Sequence, residues 1–214
     1  MNEAERIPTP LVVWLVTGAV AIASAAFFFA PTDVQHAADY AFALIPERFH
    51  ADSPYRFQQW YEPLGAIFGH AFLHLNWFHL GINAVFLAGA SRLPALRLGT
   101  VRYLGVLIAS LLGDSFVFTA LNWDGHASAV GASGAVCGMI TAFFFSTRPT
   151  WQQALADPQV RGPLGMLFLI NVVLFAVLSE TGLFPIAWEG HLGGFIGGGV
   201  AYALLQRPLP SEPA

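Results

Sequence analysis

The chain alternates between long uncharged runs and short polar connections. Residues 11–30, LVVWLVTGAVAIASAAFFFA, form an unbroken apolar stretch of the roughly 20 residues that a bilayer-spanning helix requires. Further apolar segments occupy residues 77–90, 103–121, 132–145, 164–178 and 191–205, and Asp114 interrupts the run at 103–121. The pattern predicts six helices, several of them short for a complete crossing. The first run ends in bulky residues before Pro31 with no A-x-A-like site close behind it, which marks a retained span rather than a signal peptide.

Composition agrees with the pattern: 56% of the 214 residues are hydrophobic and only 10% are charged, far from the balance of a soluble domain. The expected architecture is an all-α membrane protein, a six-transmembrane-helix bundle over residues 11–206, with short polar tails at 1–10 and 207–214. All nine basic residues are arginine. In a six-span arrangement Arg6, Arg92, Arg97, Arg102, Arg148, Arg161 and Arg207 fall on one side and only Arg48 and Arg56 on the other, which places both termini in the cytoplasm. The inner membrane of a bacterium is the expected location. The net charge of −4 and the absence of a dense basic cluster exclude a nucleic-acid partner. A single cysteine, Cys137, excludes an intrachain disulfide and any multi-cysteine metal site. Nothing in the sequence reports on oligomeric state.

Three connections then lie outside: residues 31–76, 122–130 and 180–190. The first is too long and too aromatic, with Tyr55, Phe57, Trp60, Tyr61, Phe68 and Phe72, to be an inert linker. It is expected to lie partly in the membrane interface.

Polar groups at membrane depth are expensive and mark a functional interior by default. They collect in three places. GHAFLHLNWFHLGIN carries His70, His74, His79 and Asn83, of which His79 and Asn83, four apart, share one helix face. VGASGAVCG carries Ser133 between Gly131 and Gly134, and WEGHLGGFIGGG carries His191 ahead of Gly194 and Gly198. All three helices begin on the outer side, so these groups can converge in one cavity open to water. Each also has a plain packing explanation. Ser and Gly are common at helix contacts in membranes, and Gly194-x-x-x-Gly198 alone describes a close helix crossing. The three clustered histidines lack a carboxylate or cysteine at ligand spacing, so no metal or other cofactor is expected.

A serine hydroxyl needs a base within hydrogen-bond reach to become a nucleophile, and Ser133 with His191 is the natural pair. The oxyanion formed by attack on a carbonyl needs fixed donors, which Asn83, His79 and the Ser133 N–H can supply. Gly131 permits a tight entry and Gly134 leaves the first turn unobstructed, so that the helix start faces the developing charge. Gly194 and Gly198 let the last helix press against the one carrying Ser133. No third carboxylate is evident, which favours a Ser-His dyad; Asp114 is expected to make a buried polar contact between helices.

On these residues the chain resembles the rhomboid family of intramembrane serine proteases. The carriers are GASG with Ser133, the HxxxHxxxxHxxxN run from His70 to Asn83, and GHLGGFIGG with His191. The resemblance implies a six-helix rhomboid-like core with Ser133 as nucleophile and His191 as general base and then acid. It also implies His79, Asn83 and the Ser133 amide as the oxyanion hole, with His74 in the surrounding polar network. Transmembrane protein substrates with small or helix-destabilising residues near the cut are the implied partners, within the lipid bilayer. Three positions depart from the family pattern. Cys137 stands where an aromatic often stacks on the catalytic histidine, Trp60-Tyr61 is the nearest echo of a first-loop Trp-Arg pair, and Gly190 replaces the alanine often found before the histidine. HLNWFH is also similar to the rhombosortase subgroup. A catalytically silent relative that binds transmembrane segments, and a small transporter, are the alternatives from other classes.

Overall fold

The computed structural model describes residues 8–125, 127–182 and 186–206; most of the 1–10 tail and all of the 207–214 tail, with Arg6 and Arg207, lie outside the described residues. Helix α1 (Leu11–Phe29) starts after Pro10 and stops ahead of Pro31, with Ala30 already extended, as expected before a proline. The first loop is not an open connection. It folds into α2 (Thr32–Phe42), a 3₁₀ turn at Pro46–Phe49, α3 (Glu62–Gly69) and a second 3₁₀ turn at His70–Phe72. An antiparallel bridge between Leu44 and Ala129 ties this loop to the 122–130 connection. The loop's organiser is Arg48, which is 3% exposed. Its guanidinium lies 4.2 Å from the Tyr40 ring centroid and 4.3 Å from that of Phe57, and it donates to the carbonyls of Tyr40 and Tyr55 and to Glu62. Tyr55, Trp60 and Tyr61 stay exposed, while Phe57 packs edge-on against Phe49.

The chain turns by 91° between Glu62–Phe72 and α4 (Trp77–Leu98), whose N-terminus is capped by Asn76 accepting from the His79 N–H. α4 continues past residue 90, where the apolar run ends, through Pro94 to Gly99. The polar residues there are accommodated; Ser91 accepts from the Tyr103 hydroxyl at 3.2 Å. α5 (Thr100–Leu121) passes through Asp114 without a break, although that residue interrupts the apolar run. The Asp114 carboxylate is bound by another element and so does not compete for its own helix backbone. α6 (Ser133–Ser146), α7 (Trp151–Ala156), α8 (Pro158–Phe168), a π-turn at Leu169–Leu174, α9 (Phe175–Glu180) and α10 (Trp188–Leu205) complete the chain.

α6 is the centre of the bundle: eleven of its fourteen residues are buried. α10 lies against both α5 and α6, α4 covers another side of α6, and α1 packs on α4. Fourteen residues rise about 21 Å, less than the roughly 30 Å of bilayer hydrocarbon, so α6 is short for a spanning helix and its ends lie below the level reached by its longer neighbours. The outer surface is apolar, with Trp14, Ile22, Val101, Phe116, Val177 and Leu204 among its exposed side chains. α1, α5 and the composite Pro158–Glu180 are each long and apolar enough to span a membrane, and the bent pair ending in α4 makes a fourth candidate. The protein is an all-α integral membrane bundle.

Glycine lets α10 sit close. A Cβ at Gly193 would fall on the Gly113 carbonyl of α5, one at Gly197 on the Ala109 carbonyl, one at Gly194 on the Gly134 carbonyl of α6, and one at Gly198 on Gly138. Backbone meets backbone along both edges of α10, the geometry that small residues allow where no hydrophobic effect drives helices together.

Candidate active site

The crossing of α6 and α10 fixes the two residues singled out from the sequence. Ser133 opens α6 and His191 sits in the first turn of α10, with the Ser133 hydroxyl donating to His191 Nε2 at 2.9 Å. His191 Nδ1 lies 3.0 Å from the main-chain oxygen of Asn171 in the π-turn. A carbonyl only accepts, so Nδ1 carries the proton and Nε2 presents its lone pair to Ser133. The Phe175 ring lies 6.0 Å from the imidazole centroid. Cys137, at the position where the family often carries a stacking aromatic, is buried in the core.

Gly131 adopts φ 117°, a conformation open to glycine. Its missing side chain also makes room for His79, because a Cβ there would lie 2.7 Å from Cε1 and 2.9 Å from Nε2 of that ring. The Gly131 N–H donates to the His70 carbonyl at 2.8 Å. No side chain caps α6, which leaves the N–H groups of its first turn without intrahelical partners, at the positive end of the helix dipole. His79 Nδ1 is buried without a partner. Asn83 is buried one turn along α4 and gives one amide hydrogen to the His79 carbonyl at 2.9 Å, keeping the second for another acceptor.

His74 and His70 are structural ties. The Ser24 hydroxyl of α1 donates to the Phe72 carbonyl at 2.8 Å and lies 2.8 Å from His74 Nδ1. With its one proton committed, Ser24 accepts from Nδ1–H, and His74 Nε2 accepts from the Ala132 N–H at 3.4 Å. This chain runs from α1 to the residue before the candidate nucleophile. His70 Nδ1 donates to the Ala66 carbonyl at 3.0 Å, and its Nε2 meets Asp114 Oδ2 at 2.9 Å. That is the buried contact expected of Asp114, with its partner now identified. Asp114 also explains two glycines: a Cβ at Gly134 or Gly190 would collide with its carboxyl group. The reason for Gly134 is therefore room for Asp114, not merely an unobstructed turn. Among the described residues, no three His, Cys, Asp or Glu side chains are grouped closely enough to hold a metal.

Sequence reasoning did not single out Ser24, Asn171, Phe175 or Arg48. An asparagine within the apolar run INVVLF was the available signal for Asn171. Trp60-Tyr61 proves to be an exposed edge-on pair, and the buried loop cation is Arg48.

A Ser133–His191 hydrogen bond at a helix start, inside a bundle packed through glycine and faced with apolar side chains, is the arrangement of a helical membrane protein with a polar centre. A family model described as "Rhomboid domain" matches residues 58–208, and the chain belongs to the rhomboid family. It is also 29% identical over 154 residues to uncharacterised proteins of Mycobacterium bovis and of two Mycobacterium tuberculosis strains, a match covering 67% of this chain. The chain spans 60% of the length of those relatives.

Proposed function

We propose that the protein is an intramembrane serine endopeptidase that cleaves transmembrane segments of other membrane proteins. The observation that carries this is the 2.9 Å contact from Ser133 Oγ to His191 Nε2, within hydrogen-bond reach of a nucleophile and its base. His191 Nε2 takes the hydroxyl proton as Ser133 attacks the scissile carbonyl. The oxyanion that forms is held by the Ser133 N–H, the free Asn83 amide hydrogen and His79. His191 then gives its proton to the leaving amine, and water entering from the outer side hydrolyses the acyl-enzyme. The reaction needs no cofactor.

Six spans account for this site best, with the short α6 and the glycine-rich α10 inside the bundle and the peripheral helices facing lipid. The folded unit is residues 11–206. The arginine distribution orients it with both termini in the cytoplasm, in the inner membrane of a bacterium, and opens the site to the outside. Segments with small or helix-destabilising residues suit such a site, because a peptide bond in a regular helix is shielded from attack.

A fluorophosphonate probe tests the proposal. Labelling of the wild type and not of Ser133→Ala, together with loss of cleavage of a model transmembrane substrate in Ser133→Ala and His191→Ala, is the expected result. Cleavage retained by either folded variant refutes the dyad, and a wild type that neither labels nor cleaves would instead be a silent binder of transmembrane segments.

A further inference from the structure

We infer that Asn171 is a positioning residue, whose main-chain carbonyl sets the tautomer and aim of His191 and whose side chain helps hold the π-turn that presents this carbonyl. The inference rests on the dyad proposed above.

In a regular α-helix the Asn171 carbonyl would accept from the N–H of Phe175, four residues on. Here that N–H reaches Ile170 and Val172 instead, so the widened turn passes over Asn171 and leaves its oxygen for the imidazole at 3.0 Å. π-turns of this kind break the helical ladder locally and expose backbone groups for other use. The Asn171 side chain secures the turn from behind, its Nδ2 donating to the Leu167 carbonyl at 2.9 Å. One turn further on, Phe175 places its ring 6.0 Å from His191. The same helical segment thus supplies both an acceptor for Nδ1–H and an aromatic neighbour for the ring. From the α6 side, the corresponding position is the small, buried Cys137.

The consequence is a coupling. Only 6% of the most apolar window of Pro158–Glu180 is buried inside the bundle, against 33% for α5. The group that orients His191 therefore rides on a peripheral helix, and the dyad is aligned only while that helix is docked.

Deleting Val173, an exposed residue of the π-turn, removes the extra residue and restores the α-ladder without shifting the flanking faces. In the full-length protein, we expect this deletion to lower kcat about 100-fold or more, by analogy with the loss on mis-setting a catalytic histidine's tautomer, with KM changed less than about threefold. Asn171→Ala keeps the carbonyl but loosens the turn, and is expected to lower kcat about tenfold. The decisive readout is the ¹⁵N spectrum of histidine-labelled protein. His191 should be wholly the Nδ1–H tautomer in wild type and in inactive Ser133→Ala, and a mixture in the deletion. If the deletion does not fold, Asn171→Ala must show the mixture. An unchanged His191 tautomer and kcat in a folded variant would overturn the inference. Because the tautomer is read in Ser133→Ala, it stays decisive even if the protein proves not to be a protease.

Discussion

His70 and Asp114 meet at 2.9 Å at the point where both α6 and α10 begin. His70 ends the first loop, Asp114 belongs to α5, and the carboxyl fills the space left by Gly134 and Gly190. Both helices that carry the proposed dyad thus register against one buried polar pair. Removing one partner of such a pair typically costs about 3–5 kcal/mol, because the other is left buried and alone. Asp114→Ala is therefore expected to lower thermal stability in detergent or bicelles sharply, and to abolish cleavage. Asp114→Asn keeps the shape and one acceptor and should lose less. A melting curve for Asp114→Ala that overlays wild type would remove the pair from its structural role.

The glycines of α10 separate packing from propensity. Gly194→Ala places a methyl against the Gly134 carbonyl, backbone that cannot swing away, and must push α10 off α6 and stretch the Ser133–His191 contact. Gly89→Ala on α4 meets nothing within 4 Å and gains helix propensity of up to about 1 kcal/mol. Cleavage by Gly194→Ala should fall below detection while Gly89→Ala retains wild-type activity. Equal activities would show that the α6–α10 approach does not govern the site.

How far these relationships could be read from the chain follows from what leaves a mark on it. Ser133 and His191 were legible because polar groups stand out in apolar runs, and Gly194 and Gly198 because backbone contact demands small residues. The length of α4 was not, since Ser91, Arg92 and Arg97 end the apolar pattern while the helix continues to Leu98. Asp114 could be assigned a buried contact but no partner, because His70 lies 44 positions away and hydropathy carries no pairing information. Ser24 resembles any small residue of a membrane helix. The Asn171 carbonyl has no side-chain signature at all, as its availability comes from the π-turn. The helices of the first loop were hidden among aromatics that read equally well as interfacial anchors.

Asn83 and His79 are expected to act on the transition state rather than on substrate binding. If Asn83 donates one hydrogen bond to the oxyanion, Asn83→Ala should lower kcat about 10²–10³-fold, near 3 kcal/mol, with KM little changed. His79→Ala should act in the same direction, and Gly131→Ala should mimic it by displacing the ring. A purely KM effect in Asn83→Ala would place the residue in substrate binding instead.

Ser24→Ala probes the tie from α1. It leaves the His74 Nδ1–H buried without its acceptor, a loss of about 1–3 kcal/mol, and frees His74 to turn away from the Ala132 N–H. Reduced stability together with slower probe labelling of Ser133 is the expected result, and Ser24→Thr, which restores the hydroxyl, should recover both. If labelling were unaffected while stability fell, the chain would serve folding alone.

Arg48 tests whether the first loop needs a guanidinium or only a charge. Its planar group is flanked by Tyr40 and Phe57 while its nitrogens reach the Tyr40 and Tyr55 carbonyls and Glu62. A lysine ammonium cannot stack and fork in this way at once. Arg48→Lys should therefore destabilise the loop nearly as much as Arg48→Ala, seen as faster proteolysis within residues 43–61 in detergent, while α4, α5 and α10 remain protected. The bridge from Leu44 to Ala129 links this loop to the segment ahead of Gly131, so the same variants should also slow fluorophosphonate labelling of Ser133. Arg48→Lys matching wild type in both measurements would mean that charge alone holds the loop.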